Sequence, residues 1–181
     1  MGGNNLAADA PVGPINLFLH SLFSQVDISL NGTLIRASTN TYPYRAIMDT
    51  LLSYGEDAKS SQLTPALFHK HQAGIIDSIN VRDNAALRHD GLMKRRAIGS
   101  ESREFDMMAS SACRHFFQDR YMLNEVGVKI KFVRSKNAFC VMGNGKAVIT
   151  HASVFVRKVK IMPSGFWLTL RPWNAVLQNI P

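Results

Sequence analysis

The clearest pattern of apolar and polar positions lies between residues 24 and 35. From residue 24 to residue 30 apolar side chains alternate with polar ones, which places Val26, Ile28 and Leu30 on one face of a strand. Asn31-Gly32 follows, a pair that tolerates the positive φ angles of a two-residue turn, and a second β-prone run covers residues 33–35. The pattern predicts a β-hairpin.

Helical spacing is visible in one place before the middle of the chain. Residues 44–54 carry apolar side chains at helical intervals and end before Gly55, which we interpret as the stop of a short helix. Residues 14–23 are apolar without a single period, so helix and buried strand both stay open. We expect a polar loop over residues 55–61, space for a short helix within residues 60–70, and a long surface excursion over residues 72–104.

Strand patterns return in the second half of the chain. Residues 104–108 and 113–118 are predicted strands or strand ends, and residues 126–132 alternate apolar positions with Lys129 and Lys131. Residues 138–142 and 146–150 flank Gly143-Asn144-Gly145 as a predicted second hairpin, and residues 153–161 form a further β-prone run. We therefore expect a mainly β, antiparallel sandwich with an early helix and a long loop insertion.

Composition limits the class of protein. The chain has 181 residues, of which 46% are hydrophobic and 19% charged, so one packed core is expected. Neither a signal peptide nor an apolar run of bilayer length is visible, which predicts a protein of the cell interior. The net charge of +8 brings polyanions into consideration. Its densest run, Lys94-Arg95-Arg96, fits a solvated loop about as well as a phosphate site.

The sequence predicts no catalytic, cofactor-binding or metal site, and we expect that the chain is not an enzyme. Gly143-Asn144-Gly145-Lys146 lies between two β runs without a following helix, so it is a turn rather than a phosphate loop. His69 and His71 have only Asp77 nearby as a further metal ligand, which favours a surface pair. Cys113 and Cys140 lie in apolar surroundings that predict reduced, buried thiols. The same surroundings make Cys113 and His115 a poor nucleophile and base.

Several segments carry a resemblance to a known family. Residues 16–35 (NLFLHSLFSQVDISLNGTLI) and 38–46 (STNTYPYRA) resemble the major capsid protein of Polinton or Maverick elements and adintoviruses. The similarity continues through residues 51–55, 61–64, 116–121, 133–136 and 155–159. It covers roughly residues 5 to 163, and the Leu-His-Ser and hairpin pattern is also similar to that of capsid proteins of large DNA viruses more widely.

The resemblance implies a structural virion protein. Members of that family fold as two jelly rolls in one chain and form pseudo-hexagonal trimers that tile an icosahedral shell. It implies self-association as trimeric capsomers, contacts with other capsid proteins, and only indirect contact with packaged double-stranded DNA. No membrane partner and no cofactor are implied. The expected location is the virion or the nucleus or cytoplasm of the host cell, without secretion.

The chain departs from the family at both ends. Strands before residue 16 and a second jelly roll after residue 160 are expected and are not present, so we interpret residues 1–163 as a truncated first jelly roll. Residues 164–181 have no family counterpart. Codons permitted for this tail spell a family-like continuation when shifted by one nucleotide, which is our frameshift hypothesis for a decayed, genome-integrated copy. We expect such a chain to self-associate through an unpaired sheet edge.

A basic nucleic-acid-binding module is the alternative function. It would bind DNA in a salt-dependent manner through Lys94, Arg95 and Arg96 together with the face that carries Lys129 and Lys131. The sequence lacks the interleaved aromatic residues of a single-strand binder and a recognition helix.

Overall fold

The computed structural model describes residues 5–7, 9–36, 39–71, 74, 76, 79, 82–84, 87–112, 122, 125–160 and 169–176. The chain divides into two compact units, Met1–Ala147 and Val148–Pro181. The predicted boundary at residue 163 comes from the resemblance and stays a prediction.

The elements are named here in chain order. The first unit contains β1 (Gly13–Pro14), α1 (Phe18–Ser21), β2 (Phe23–Leu30), β3 (Thr33–Arg36), α2 (Tyr42–Ser53), α3 (Glu56–Ser60), β4 (Arg82–Asn84), β5 (Leu87–Arg88), α4 (Asp90–Ile98), β6 (Val128–Arg134), α5 (Asn137–Cys140) and β7 (Val141–Met142). It also has 3-10 turns at Thr64–Ala66 and Ser100–Ser102. The second unit contains β8 (Ser153–Lys160) and β9 (Thr169–Val176).

The main sheet of the first unit is antiparallel and has the order β3-β2-β6. The predicted hairpin is confirmed, because β2 and β3 pair on either side of a turn in which Asn31 has φ 48° and Gly32 has φ 81°. Both angles lie in the left-handed region that this turn requires. The predicted alternating strand is confirmed as β6, whose Phe132 is paired with Val26 of β2.

Among the residues that the structure describes, two apolar clusters lie in the core of this unit. Val26 and Ile28 of β2 are buried with Tyr42 at the start of α2. The second cluster joins Leu17 to Ala66 and Phe68. The ambiguous residues 14–23 hold the end of β1, the single turn α1 and the start of β2, which explains why no one period fits them.

Helix α2 is longer than predicted and ends by a different mechanism. It begins at Tyr42, with Pro43 in its first turn, where the missing N–H of proline costs no hydrogen bond. It ends at Ser53, and Tyr54 is already extended. The helix ends before Gly55 as predicted, but Gly55 has φ −71°, so it does not cap α2 in the left-handed region and instead precedes α3.

The predicted polar loop over residues 55–61 is wrong, because α3 occupies most of it. Glu56 and Asp57 lie in its first turn and Lys59 in its last, an order that suits the helix dipole without any apolar face. Within residues 60–70, where a short helix was allowed, the structure has only the 3-10 turn at Thr64–Ala66.

The prediction of a long surface excursion over residues 72–104 is also wrong. The short hairpin β4–β5 and helix α4 lie there, and Leu92 of α4 is fully buried. The pattern of apolar residues does not predict this helix, because His89 just before it and Arg95 within it are buried although they are polar. Residues 104–108 form no strand, since Met108 is exposed and its N–H bonds the carbonyl of Pro65 rather than a neighbouring strand. The predicted strand at 113–118 lies outside the described residues.

The second predicted hairpin, around residues 143–145, is wrong as well. Residues 137–140 form the short helix α5, and residues 146–150 form no strand. Strand β7 pairs instead with β1, with Gly13 opposite Met142. The chain near residue 13 thus occupies the side of β7 where the predicted partner would lie.

In the second unit, β8 confirms the predicted strand as far as Lys160. It pairs antiparallel with β9 from Ser153, opposite Val176, to Lys160, opposite Thr169. The chain therefore combines antiparallel sheets with helices. The mainly β jelly roll predicted from the sequence is not confirmed, because helices fill much of the length that the prediction gave to loops and strands.

Candidate functional site

The first turn of α4 lies against the main chain of residues 69 and 70. A Cβ atom on Gly91 would approach the carbonyl oxygen of Lys70 to 2.8 Å and that of His69 to 3.2 Å. Only glycine allows this approach without a shift of the backbone. The side chain of His89 caps the helix, since its Nδ1 accepts a hydrogen bond of 3.0 Å from the N–H of Leu92.

Arg95 is a buried cation that joins three segments. Its Nε donates to the carbonyl of Pro14 at 2.9 Å, and its Nη1 lies 3.5 Å from the carbonyl of His69. Its side chain is fully buried, and Nη2 has no hydrogen-bond partner. Burial lowers the pKa of Arg95 to about 10, because removal from water disfavours the charged form.

Arg96 holds the segment that precedes β1. Its Nη2 donates to the carbonyls of Asp9 and Ala10 at 2.9 and 2.5 Å. The predicted solvated loop or phosphate site at residues 94–96 is therefore wrong. Arg95 and Arg96 bind main-chain carbonyls within the chain, whereas Lys94 is not seen to bind one.

Three histidines surround Arg95. His71 Nδ1 lies 3.4 Å from His89 Nε2, and the two rings meet edge to face. Burial, followed by the charge of Arg95 and the ring of His89, lowers the pKa of His71 to about 4. Burial, then Arg95 and Lys94, lowers the pKa of His69, whose buried Nε2 has no hydrogen-bond partner. For His69 and His71 these surroundings favour neutral imidazoles next to the guanidinium cation of Arg95.

The prediction for His69 and His71 needs correction in one respect. The predicted surface pair is not formed, because both residues are partly buried and His71 contacts His89 rather than His69. His69 is anchored by its N–H, which donates to Asn16 Oδ1 at 2.9 Å. Within the described part of the chain, no three His, Cys, Asp or Glu side chains gather closely enough to hold a metal ion. Asp77 lies outside the described residues.

The predicted buried thiol is confirmed for Cys140. It is free and fully buried, and burial raises the pKa of its thiol. A raised pKa keeps the group in the thiol form, which is a poor nucleophile. Cys113 and His115 lie outside the described residues.

Apolar side chains are exposed along one face of α2. They recur at intervals of three and four residues, which places them in one stripe of the helix: Tyr44, Met48, Leu51 and Leu52. Leu52 is 79% exposed. On the sheet, Lys129 and Lys131 of β6 are exposed and are paired with Ser29 and Asp27 of β2, so a carboxylate lies opposite one of the two cations.

Comparison with known proteins gives one relative. An uncharacterized protein of Caenorhabditis elegans is 26% identical over 140 residues, which cover 76% of this chain and 30% of the nematode protein. The chain thus spans less than a third of that relative. No protein-family profile and no solved structure matches the chain. Among the helices that the structure describes, none has both the length and the apolar character needed to cross a membrane.

Sequence reasoning missed His89 and the internal role of the two arginines. A usable signal was present in His89-Asp90-Gly91, a polar residue that can cap a helix followed by an acidic first turn. The contacts of Arg95 and Arg96 join residues more than 80 positions apart, and no local pattern announces them.

Proposed function

We propose that the chain is a structural virion protein, a subunit of an icosahedral capsid shell of the Polinton, Maverick and adintovirus type, whose copies associate as trimeric capsomers. The proposed role is binding between protein surfaces, without catalysis. The observation that carries it is the exposed apolar stripe of α2, which lies within the segment that resembles capsid proteins.

The stripe suits contact with another protein surface. Its side chains stand on a helix whose opposite face is already fixed to the core by Tyr42, Ala46 and Thr50. The stripe is therefore rigid, and exposed apolar residues on a rigid element typically mark interaction sites. Burying them against a second copy removes apolar surface from water, which is the main driving force of subunit association.

We also propose that the β3-β2-β6 sheet is part of a jelly-roll sandwich. Support comes from its antiparallel pairing and from its connections. Strand β3 follows β2 directly, whereas β6 returns to the other side of β2 after more than ninety residues. Long connections of this kind are typical of sandwiches built from Greek keys.

Association of the purified chain tests the proposal. We expect light scattering after size exclusion to show mass rising with protein concentration, and electron microscopy of concentrated protein to show capsomer-sized particles. Leu52→Glu places a charge in the stripe at an exposed position and should weaken association at least tenfold. Val148→Glu is the matched control, because Val148 is 71% exposed and lies in the second unit.

A well-folded monomer at every concentration contradicts the capsid proposal. Equal weakening by both glutamate variants would also contradict it, because the added charge rather than the α2 stripe would then be responsible.

Exposed Lys129 and Lys131 favour the second candidate, a basic nucleic-acid-binding module. Arg95 and Arg96 hold main-chain carbonyls, which leaves Lys94, Lys129 and Lys131 of the predicted basic surface for phosphate contacts. A titration with duplex DNA over a range of salt concentrations separates the two functions. The capsid proposal expects weak binding that Lys129→Glu and Lys131→Glu change little, whereas salt-dependent binding that both substitutions weaken favours the alternative.

A further inference from the structure

The hydrogen bonds at the start of α4 define which atoms carry protons. The N–H of Leu92 donates to His89 Nδ1, so this nitrogen offers a lone pair and the ring proton lies on Nε2. That Nε2 lies 3.4 Å from His71 Nδ1, which must therefore accept. The chain of donors runs from Leu92 through His89 to His71, and it is complete only when both imidazoles are neutral.

We propose that α4 is held by a proton-sensitive latch in which neutral His71 and His89 join its first turn to the segment at residues 69–71, and that protonation of His71 releases the helix. A proton on His71 Nδ1 would set two N–H donors against each other across the 3.4 Å contact. It would also add a second cation beside the buried guanidinium of Arg95. Both effects destabilise the closed state of the latch.

The described surroundings of the two rings supply little negative charge. On α4 the charged neighbours are Asp90, in the first turn, and the cations Lys94 and Arg95. On the other segment, His69 is a titratable neighbour and the amine of Lys70 is paired with Glu56 at 3.2 Å. The third segment contributes Asn16, an uncharged amide.

Release of α4 has consequences beyond the helix itself. Arg96 binds the carbonyls of Asp9 and Ala10, and Arg95 binds that of Pro14 in β1, so the N-terminal segment loses these contacts when α4 is released. A cavity of about 250 Å³ borders His71, Arg95 and Asn16 and gives solvent a path to the latch. Acid would therefore loosen the helix and the N-terminal segment together.

The sign and size of the effect follow from the titration of His71. Its pKa is about 4 in the closed state and 6.5 in an open, hydrated state, so the closed state is favoured above pH 6.5 and loses this preference as the pH falls toward 4. Two-state linkage then gives an opening equilibrium about 20-fold larger at pH 5 than at pH 7.

Hydrogen exchange by mass spectrometry tests the latch in the full chain. After correction for the intrinsic exchange rate, peptides that cover α4 should open about 20-fold more at pH 5 than at pH 7, while peptides from β2 and β6 change less. His71→Asn keeps an acceptor oxygen near the position of Nδ1 and cannot take up the proton, so α4 should stay closed at pH 5. His151→Asn is the control, because His151 is exposed in the second unit and its loss should leave the response intact.

Constant protection of α4 between pH 7 and pH 5 in the unmodified chain overturns the proposal, as does an unchanged acid response in His71→Asn. If that variant is open already at pH 7, NMR titration of the His71 ring in the unmodified chain decides. A His71 pKa well below 6.5, with α4 opening over the same pH range as the titration, supports the latch. An ordinary pKa near 6.5 overturns it.

Discussion

The β2–β3–β6 sheet and the α4 region both contribute buried residues to the first unit, but different forces hold them. In the sheet, alternating apolar residues such as Val26 and Ile28 pack beneath a regular ladder of main-chain hydrogen bonds. In the α4 region, buried polar side chains bind carbonyls and one another, with Leu92 as the only fully buried apolar residue of the helix described there.

The sheet and the α4 region also differ in how they respond when a contact is weakened. An apolar contact loses energy gradually as it loosens, whereas a buried polar group that loses its partner keeps the full cost of its removal from water. The apolar contacts of the sheet are thus expected to depend less on pH than the polar contacts of the α4 region.

The largest effect is expected from a cavity in the sheet. Ile28→Ala should lower the free energy of unfolding by about 2–5 kcal/mol, because the side chain is buried and its neighbours cannot fill the space. Urea unfolding followed by circular dichroism measures this. Ile35→Ala, at a position 45% exposed, is the control and should change stability by about 0.5 kcal/mol or less. Equal losses would show that the sheet core is not where stability resides.

In the α4 region the comparison is between two replacements of Arg95. Arg95→Ala should cost about 3 kcal/mol, since it leaves a cavity and removes the donor to the Pro14 carbonyl. Arg95→Met fills most of the space but also removes the donor to the Pro14 carbonyl, so it should cost about 1–2 kcal/mol. The same unfolding measurement checks both. An equal cost for both variants would mean that the charge, rather than the filling of space, is what the region needs.

Acid should also weaken the core through His20, which sharpens the contrast with the local response of α4. Burial lowers the pKa of His20 to about 4, and its Nδ1 lies 3.0 Å from the hydroxyl of Tyr42. A lowered pKa favours the neutral ring in the folded state, so this stability is present above pH 6.5 and is lost as the pH falls toward 4. At pH 5 the loss should be about 2 kcal/mol.

Unfolding curves at pH 7 and pH 5 measure the effect of His20. The difference in the free energy of unfolding between pH 7 and pH 5 should shrink in His20→Asn. It should persist in His151→Asn, which removes an exposed ring. A pH dependence that is identical in the two variants would assign the loss to other groups.

The smallest effect is expected at the hairpin turn. Gly32→Ala should cost about 1 kcal/mol, because φ at this position is 81° and a Cβ is disfavoured there. Gly55→Ala is the matched control, since Gly55 has φ −71° and open space around it. Thermal unfolding of the two variants gives the difference, and an equal shift would mean that the turn does not require glycine.

The sequence predicted those parts of the fold that local patterns determine. The hairpin at Asn31-Gly32, the α2 helix and the strand β6 were found because turn chemistry and periodicity act over a few residues. The prediction failed where distant segments decide the structure. Strand β7 pairs with β1 rather than with its neighbour in sequence, and α4 is held by contacts with residues 9–16 and 69–71.

The candidate site shows the same limit. The basic run at residues 94–96 and the pair His69 and His71 were noticed as residue types, but their roles depend on His89 and on the carbonyls that they meet. Composition shows that a cation is present and does not show whether water, a phosphate or the main chain surrounds it.

The turn residue Asn31 has a consequence for the order in which the chain folds. Its N–H donates to the carbonyl of Gly127 at 2.9 Å, and its Oδ1 accepts from the N–H of Gly127 at 2.7 Å, across 96 positions of sequence. Hairpins with tight turns form within microseconds, whereas joining such distant residues requires closure of a long loop. The hairpin is thus expected to form first, and the two hydrogen bonds of Asn31 then set the position at which β6 begins to pair with β2. A register shifted by one residue would lose both hydrogen bonds.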